Sequence, residues 1–99
     1  MGKYVFEYYD TKNMSKEDSM PAWNAWFGEQ GDKVMDAGNP FADGGQAVEP
    51  SGVTTIENWP CTGYTIVKAE SMDEAVAMAK SCPVVASGGT VRVYEALPM

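Results

Sequence analysis

Residues 3–9 (Lys-Tyr-Val-Phe-Glu-Tyr-Tyr) are dense in aromatic and β-branched side chains, and this run predicts a strand. Residues 10–19 are polar and end it. Helical spacing follows: Met20, Trp23, Phe27 and Val34 fall on one stripe with Trp26 beside it, behind Ser19 as N-cap and Pro21 in the first turn. Gly38, followed by Asn39 and Pro40, is the predicted stop. Residues 41–52 are rich in Gly, Ala and Pro and predict a long loop, 53–57 a short strand, and 58–61 a turn. The run 62–69 alternates and reads as a strong strand. Ser71 and Glu74 match a capping box, and Met72, Ala75, Val76 and Ala79 form the apolar stripe of a second helix that Pro83 closes. Residues 88–95 return as a strand.

The chain is thus strand, helix, strand, repeated once. Right-handed crossovers in both halves place the first and third strands side by side at the centre of a four-stranded antiparallel sheet. The predicted fold is α+β, ferredoxin-like βαββαβ, with two helices on one face. Alternation assigns Tyr4, Phe6, Tyr8, Thr65, Val67, Ala69, Val91 and Val93 to the face beneath the helices. Val5, Glu7, Tyr9, Tyr64, Ile66, Lys68, Arg92 and Tyr94 take the opposite face, which is too apolar for bare water and too charged for a simple core. Self-association through that face is the simplest account; a solvated face with amphipathic tyrosines is the other.

Composition narrows the chemistry. Ninety-nine residues make one domain, 1–99, which buries only about 60 to 65% of the surface its unfolded chain exposes, so an oligomer is a natural way to cover more. Fourteen acidic against seven basic residues give a net charge of -7, which repels phosphate backbones and anionic membranes, so neither nucleic acid nor membrane is an expected partner. Histidine is absent, and with it the side chain best suited to proton transfer near neutral pH and the commonest metal ligand. Cys61 and Cys82 do not form a Cys-x-x-Cys pair and make no zinc site without carboxylate help. Reduced thiols, no metal and no cofactor are expected. With no apolar leader before the first strand and no segment approaching the ~20 apolar residues of a membrane span, a cytoplasmic location is expected.

Several residues are candidates for chemistry, each with a structural counterpart. Asp36, at the C-terminal end of the predicted first helix, faces an unfavourable macrodipole that raises a carboxyl pKa toward general-base territory; otherwise it is an exposed aspartate steering the turn into Gly38. Arg92 either holds a carboxylate ligand in a forked contact or pairs with Glu7 across the sheet, with Tyr94 beside it. Trp23, Trp26, Phe27 and Trp59 either fill the core or wall an apolar cleft between helix and sheet. Cys82, just past the second helix, lacks a base or a helix dipole to make it a thiolate and reads as a buried thiol rather than a nucleophile. The Gly44-Gly45 and Gly88-Gly89 pairs lack phosphate-loop spacing and read as turns.

The run 62–83, with its Ser-Met-Asp-Glu-Ala helix start and Cys-Pro end, then Val-Arg-Val-Tyr-Glu at 91–95, resembles the YCII-related proteins, including their Asp-Gly-Pro-Phe (DGPF) branch. Met20-Pro-Ala-Trp, Asp-Ala-Gly-Asn-Pro-Phe at 36–41 and the closing Leu-Pro-Met fit the same pattern, so the resemblance spans nearly the whole chain. It implies a ferredoxin-like subunit that pairs sheet against sheet into a dimeric α+β barrel. It also implies, for some members, lyase- or isomerase-like chemistry on a histidine of the first helix paired with an aspartate after the second. Here the corresponding positions hold Trp23 and Cys82, and an indole cannot accept a proton.

The reading that follows is a cytoplasmic homodimeric small-molecule-binding domain without that dyad, its ligand residues drawn from Trp23, Trp26, Arg92, Tyr94 and Cys82. Two alternatives stand beside it. One is a small lyase- or isomerase-like enzyme acting on a small organic acid, with Asp36 or a tyrosine as acid/base and Arg92 as anchor. The other is a protein-interaction module docking through a sheet edge.

Overall fold

The computed structural model describes residues 1–11 and 16–98. Strand β1 (Gly2–Tyr9) leads to helix α1 (Lys16–Gln30), a single 3-10 turn at Gly31–Lys33, and strand β2 (Val34–Asp36). A hairpin, β3 (Gln46–Glu49) and β4 (Gly52–Thr55), precedes β5 (Cys61–Ala69). Helices α2 (Met72–Lys80) and α3 (Pro83–Ala86) and strand β6 (Thr90–Ala96) complete the chain.

The sheet runs β2-β5-β1-β6 with every neighbour antiparallel, so the first strand and the strong strand at Tyr64 are its centre, as the ferredoxin-like reading requires. Period-two alternation sorts the faces as expected: Tyr4, Phe6, Tyr8, Thr65, Val67 and Ala69 are buried, with Val91 and Val93 packed against them. Trp26 joins this core from α1. Its indole N–H is shared between the Met78 carbonyl at 3.1 Å and the Ser81 hydroxyl at 3.2 Å, which ties α1 to the end of α2. Ser71 caps α2 by accepting from the Glu74 amide, and Glu74 turns its carboxylate to Lys33 at 3.2 Å.

Three expectations are corrected. The first helix begins a turn before Ser19, leaving Pro21 in its interior, and it ends at Gln30. Gly31, at φ +60, is the left-handed residue that stops it, so Val34 and Asp36 belong to a strand and not to the helical stripe. The second strand of the sheet is therefore β2. Residues 52–55 pair instead with Gln46–Glu49, inside the stretch read as a loop, and form a separate two-stranded sheet. The stripe of α2 is also rotated: Ala75, Met78 and Ala79 are buried, whereas Met72 is exposed. Pro83 closes α2 as expected, but as the first residue of α3 it also opens another helical turn, behind an extended Cys82.

Candidate functional site

Where α1 passes over the ends of β1 and β5, the two layers do not meet fully and leave an open cleft of about 770 Å³. Trp23 and Phe27 from α1 form one wall, stacked with ring centroids 5.6 Å apart. Tyr8 and Thr65 form the floor, and Tyr8 meets Trp23 edge-on. The other wall is the 37–40 segment with Asn58, Trp59 and Pro60.

Each wall is held by local backbone chemistry. Asp36 Oδ1 accepts from the Gly38 amide at 2.8 Å, an Asx-type turn that swings the chain back over β5. Gly38 is required there: at φ +78, any β-carbon would overlap the Tyr64 carbonyl oxygen. Pro40 then bridges to Gly63, and the Phe41 amide donates to the Thr62 carbonyl at 2.8 Å. Beside this segment, Asn58 and Trp59 are consecutive left-handed residues at φ +67 and +48. For a tryptophan this is costly, about 1 to 3 kcal/mol, and it is offset in part by the indole N–H donating to the Phe41 carbonyl at 3.1 Å.

The floor is a short hydroxyl relay. The Tyr8 hydroxyl donates to Thr65 Oγ1 at 2.7 Å, and Thr65 Oγ1 donates to the Ala37 carbonyl at 2.9 Å. Burial pushes the Tyr8 phenol well above the usual tyrosine range, the Thr65 contact opposes this, and the Cys82 thiol adds to the rise. Tyr8 is therefore a neutral phenol at any physiological pH. Among the described residues, the lining holds one carboxylate, Asp10, and no cation.

The structure scatters the candidates read from the sequence. Trp23, Phe27 and Trp59 line the cleft; Trp26 and Cys82 are buried in the core behind it. Asp36 is an exposed strand residue bonded to Gly38, so the helix-dipole argument for it falls and the turn-steering role stands. Arg92 and Tyr94 point to the open face of the sheet, away from α1. Arg92 lies opposite Glu7 in register but does not pair with it: its guanidinium sits 4.5 Å from the Tyr9 ring centroid, while the Tyr9 hydroxyl donates to Glu7 Oε1 at 2.9 Å. Asp36 and Arg92 occupy opposite edges of the sheet, three strand spacings or about 14 Å apart, and form no common site within one chain.

Burial raises the Cys82 thiol pKa, with the Val85 and Val84 amides opposing, which agrees with an inert thiol. Those two amides are the natural partners of a carboxylate, so the seat suits the aspartate that the family resemblance puts there. Sequence reasoning missed Tyr8, assigned to core alone, and the 37–40 segment, while Trp59 was among the tryptophans read as a possible cleft wall. Asn39-Pro40 and Asn58-Trp59-Pro60 signalled turns, but nothing in them said that the turns join in one wall.

A four-stranded antiparallel sheet in ferredoxin-like order, with a ring-lined cleft under its first helix, defines a small α+β domain. The chain belongs to the YCII-related domain family, whose model matches residues 2–99. Among solved structures it is similar to 5-chloro-2-hydroxyhydroquinone dehydrochlorinase (TftG) from Burkholderia phenoliruptrix AC1100, in complex with 2,5-dihydroxybenzoquinone. The TM-score is 0.64 at 18% identity, covering 96% of this chain and 93% of that one, a likeness of fold. No curated protein sequence matches the chain.

Proposed function

We propose that this chain is a homodimeric binding domain that takes a small planar ring compound in the cleft between α1 and the sheet. The observation that carries the reading is the cleft itself: Trp23, Phe27 and Trp59 offer ring faces, while the Tyr8–Thr65 relay and the Asn39 and Asn58 segments offer a few polar contacts. That mixture, apolar walls with sparse polar groups, is what small-molecule sites are made of. A small organic acid or an uncharged ring compound is the ligand class the cleft would take. The two free cysteines suit a reducing, cytoplasmic setting. Val5, Ile66 and Tyr94 on the open sheet face supply the apolar part of a dimer contact.

A second reading, a small lyase- or isomerase-like enzyme, is favoured by one observation. The structural neighbour is named a dehydrochlorinase and holds a dihydroxylated quinone. In this chain such chemistry would fall to Tyr8, Asp10 or Tyr64, the ionisable groups among the described lining residues, and not to Asp36 with Arg92. The interaction-module reading rests on the seven-residue β6, whose outer backbone edge pairs with no other strand among the described residues.

Light scattering and tryptophan fluorescence test the proposal together. The expected result is twice the monomer mass, with quenching by a panel of hydroquinones, quinones and phenols that is lost in Trp23→Leu. A monomer at micromolar concentration removes the dimer; a panel that binds wild type and Trp23→Leu alike, or neither, removes the cleft. Turnover that disappears in Tyr8→Phe while binding remains would promote the enzyme.

A further inference from the structure

The hydroxyl groups of the cleft have a direction. A backbone carbonyl can only accept a hydrogen bond, so the Thr65 hydroxyl, 2.9 Å from the Ala37 carbonyl, spends its single proton there. Toward Tyr8, Thr65 Oγ1 is therefore an acceptor, and the Tyr8 hydroxyl spends its own proton on it at 2.7 Å. Tyr8 Oη keeps only lone-pair capacity, and its donation to Thr65 polarises it into a better acceptor.

A second relay, anchored on the Tyr8 backbone, runs in the same sense. Thr62 Oγ1 donates to the Tyr8 carbonyl at 3.3 Å, so the Thr11–Thr62 contact at 3.1 Å takes its proton from Thr11, whose Oγ1 is also left as an acceptor. These contacts are longer, and the Tyr8 relay is the firmer of the two. Tyr8, Thr11, Thr62 and Thr65 all line the cleft. The Asp10 carboxylate on the same lining accepts as well, whereas the amides of Asn24, Asn39 and Asn58 carry donors and acceptors together and serve either kind of ligand.

We infer that the two relays fix the polarity of the cleft: it recognises a ring by the ring's own O–H or N–H, accepted at Tyr8 Oη and Thr11 Oγ1, and discriminates against rings that carry only acceptors. The ligand class narrows to phenols and aromatic amines. Thr65 is a positioning residue, because by accepting the Tyr8 proton it decides which side of the hydrogen bond Tyr8 offers. The inference rests on the ring-binding reading of the cleft and adds what the ring must supply.

Titration of the full chain with three rings of similar shape, followed through the tryptophan indole N–H signals in nuclear magnetic resonance, tests it. The rings are 4-methylphenol, which donates, 4-fluorotoluene, which does not, and 4-methylbenzaldehyde, which only accepts. The Trp23 signal should move, with 4-methylphenol bound about tenfold more tightly than the other two. Tyr8→Phe should remove most of that advantage. Thr65→Val frees the Tyr8 proton for the ligand and should turn the preference toward 4-methylbenzaldehyde, while Thr65→Ser should keep the wild-type order. Should Thr65→Val fail to fold, the wild-type order and Tyr8→Phe decide alone. Equal binding of the three rings by wild type overturns the inference and leaves the cleft as a ring site, as does a Thr65→Val chain that keeps the wild-type order or weakens all three rings alike. A Trp23 signal indifferent to every ring removes the ring-binding reading, and the inference with it.

Discussion

Tyr8 and Trp23 meet edge to face, ring centroids 5.2 Å apart and planes at 61°, where the hydrophobic core opens into the cleft. Trp23 is also T-shaped against Trp26 at 5.8 Å, so one aromatic series runs from buried Phe6 through Trp26 and Trp23 to the cleft. The two tryptophans sit three residues apart on one helix and serve different ends. Trp26 is nearly fully buried and hydrogen-bonded, whereas Trp23 is half-buried with one side free.

Trp26→Ala is therefore expected to cost about 3 to 5 kcal/mol, through a large cavity and a lost tie to α2. Trp23→Ala should cost less, about 1 to 2 kcal/mol, because its space already opens to the cleft. Urea unfolding monitored by far-UV circular dichroism measures both. Equal losses would mean that Trp23 is a core residue and the cleft closes in solution.

The 37–40 wall depends on one backbone conformation. Gly38→Ala should destabilise by about 1 to 3 kcal/mol and weaken ring binding, since an L side chain is strained at φ +78 and meets the Tyr64 carbonyl. Asp36→Ala should cost about 0.5 to 1.5 kcal/mol for the lost bond to the Gly38 amide. Gly28→Ala is the control: Gly28 lies within α1 with open space around its β-carbon, so alanine there should stabilise by about 0.5 to 1 kcal/mol. Thermal melts of the three variants decide it.

Alkaline titration reads the tyrosines. Burial, then the hydrogen bond to Glu7, push Tyr9 up to about 12, and burial pushes Tyr8 higher still. The unfolded chain releases these protons near 10.0 while the fold retains them. Stability from these groups is thus complete below pH 10 and is lost as pH rises toward and past 12. Phenolate absorbance should show Tyr9 near 12 and Tyr8 only on unfolding. Glu7→Gln should lower the Tyr9 midpoint.

Thiol chemistry separates the cysteines. Cys82 is fully buried with a raised pKa, and Cys61 is half-buried at the start of β5. One thiol per chain should react with an aromatic disulfide reagent in the native state, and the second only in denaturant. Rapid modification of both would show that α3 opens readily and would revive Cys82 as a nucleophile.

Much of the fold is legible without coordinates because the central strands and α2 are governed by short-range rules. Alternation placed Tyr4, Phe6, Tyr8, Thr65, Val67 and Ala69 under the helices, and Ser71 marked the cap of α2. The errors cluster between residues 30 and 57. There, Val34 and Asp36 continue a helical spacing by coincidence past Gly31, and Gln46–Glu49 is too short and too weakly patterned to announce a strand.

The sequence by itself determined the βαββαβ order, the two faces of the sheet and the lack of a histidine, because each depends on residue type and on contacts local to a strand or helix. Which residues share a site was decided only by tertiary structure. Asp36, Arg92 and Cys82 carry suggestive chemistry yet end at opposite sheet edges or in the core, while Tyr8, Gly38 and Trp59, distant along the chain, converge on one cleft. The physical reason is that strand pairing sets distance across the sheet independently of separation along the chain. Left-handed turns at Gly38 and at Asn58-Trp59 then bring two loops to one space, and where each loop lands is set by the contacts it makes across the chain.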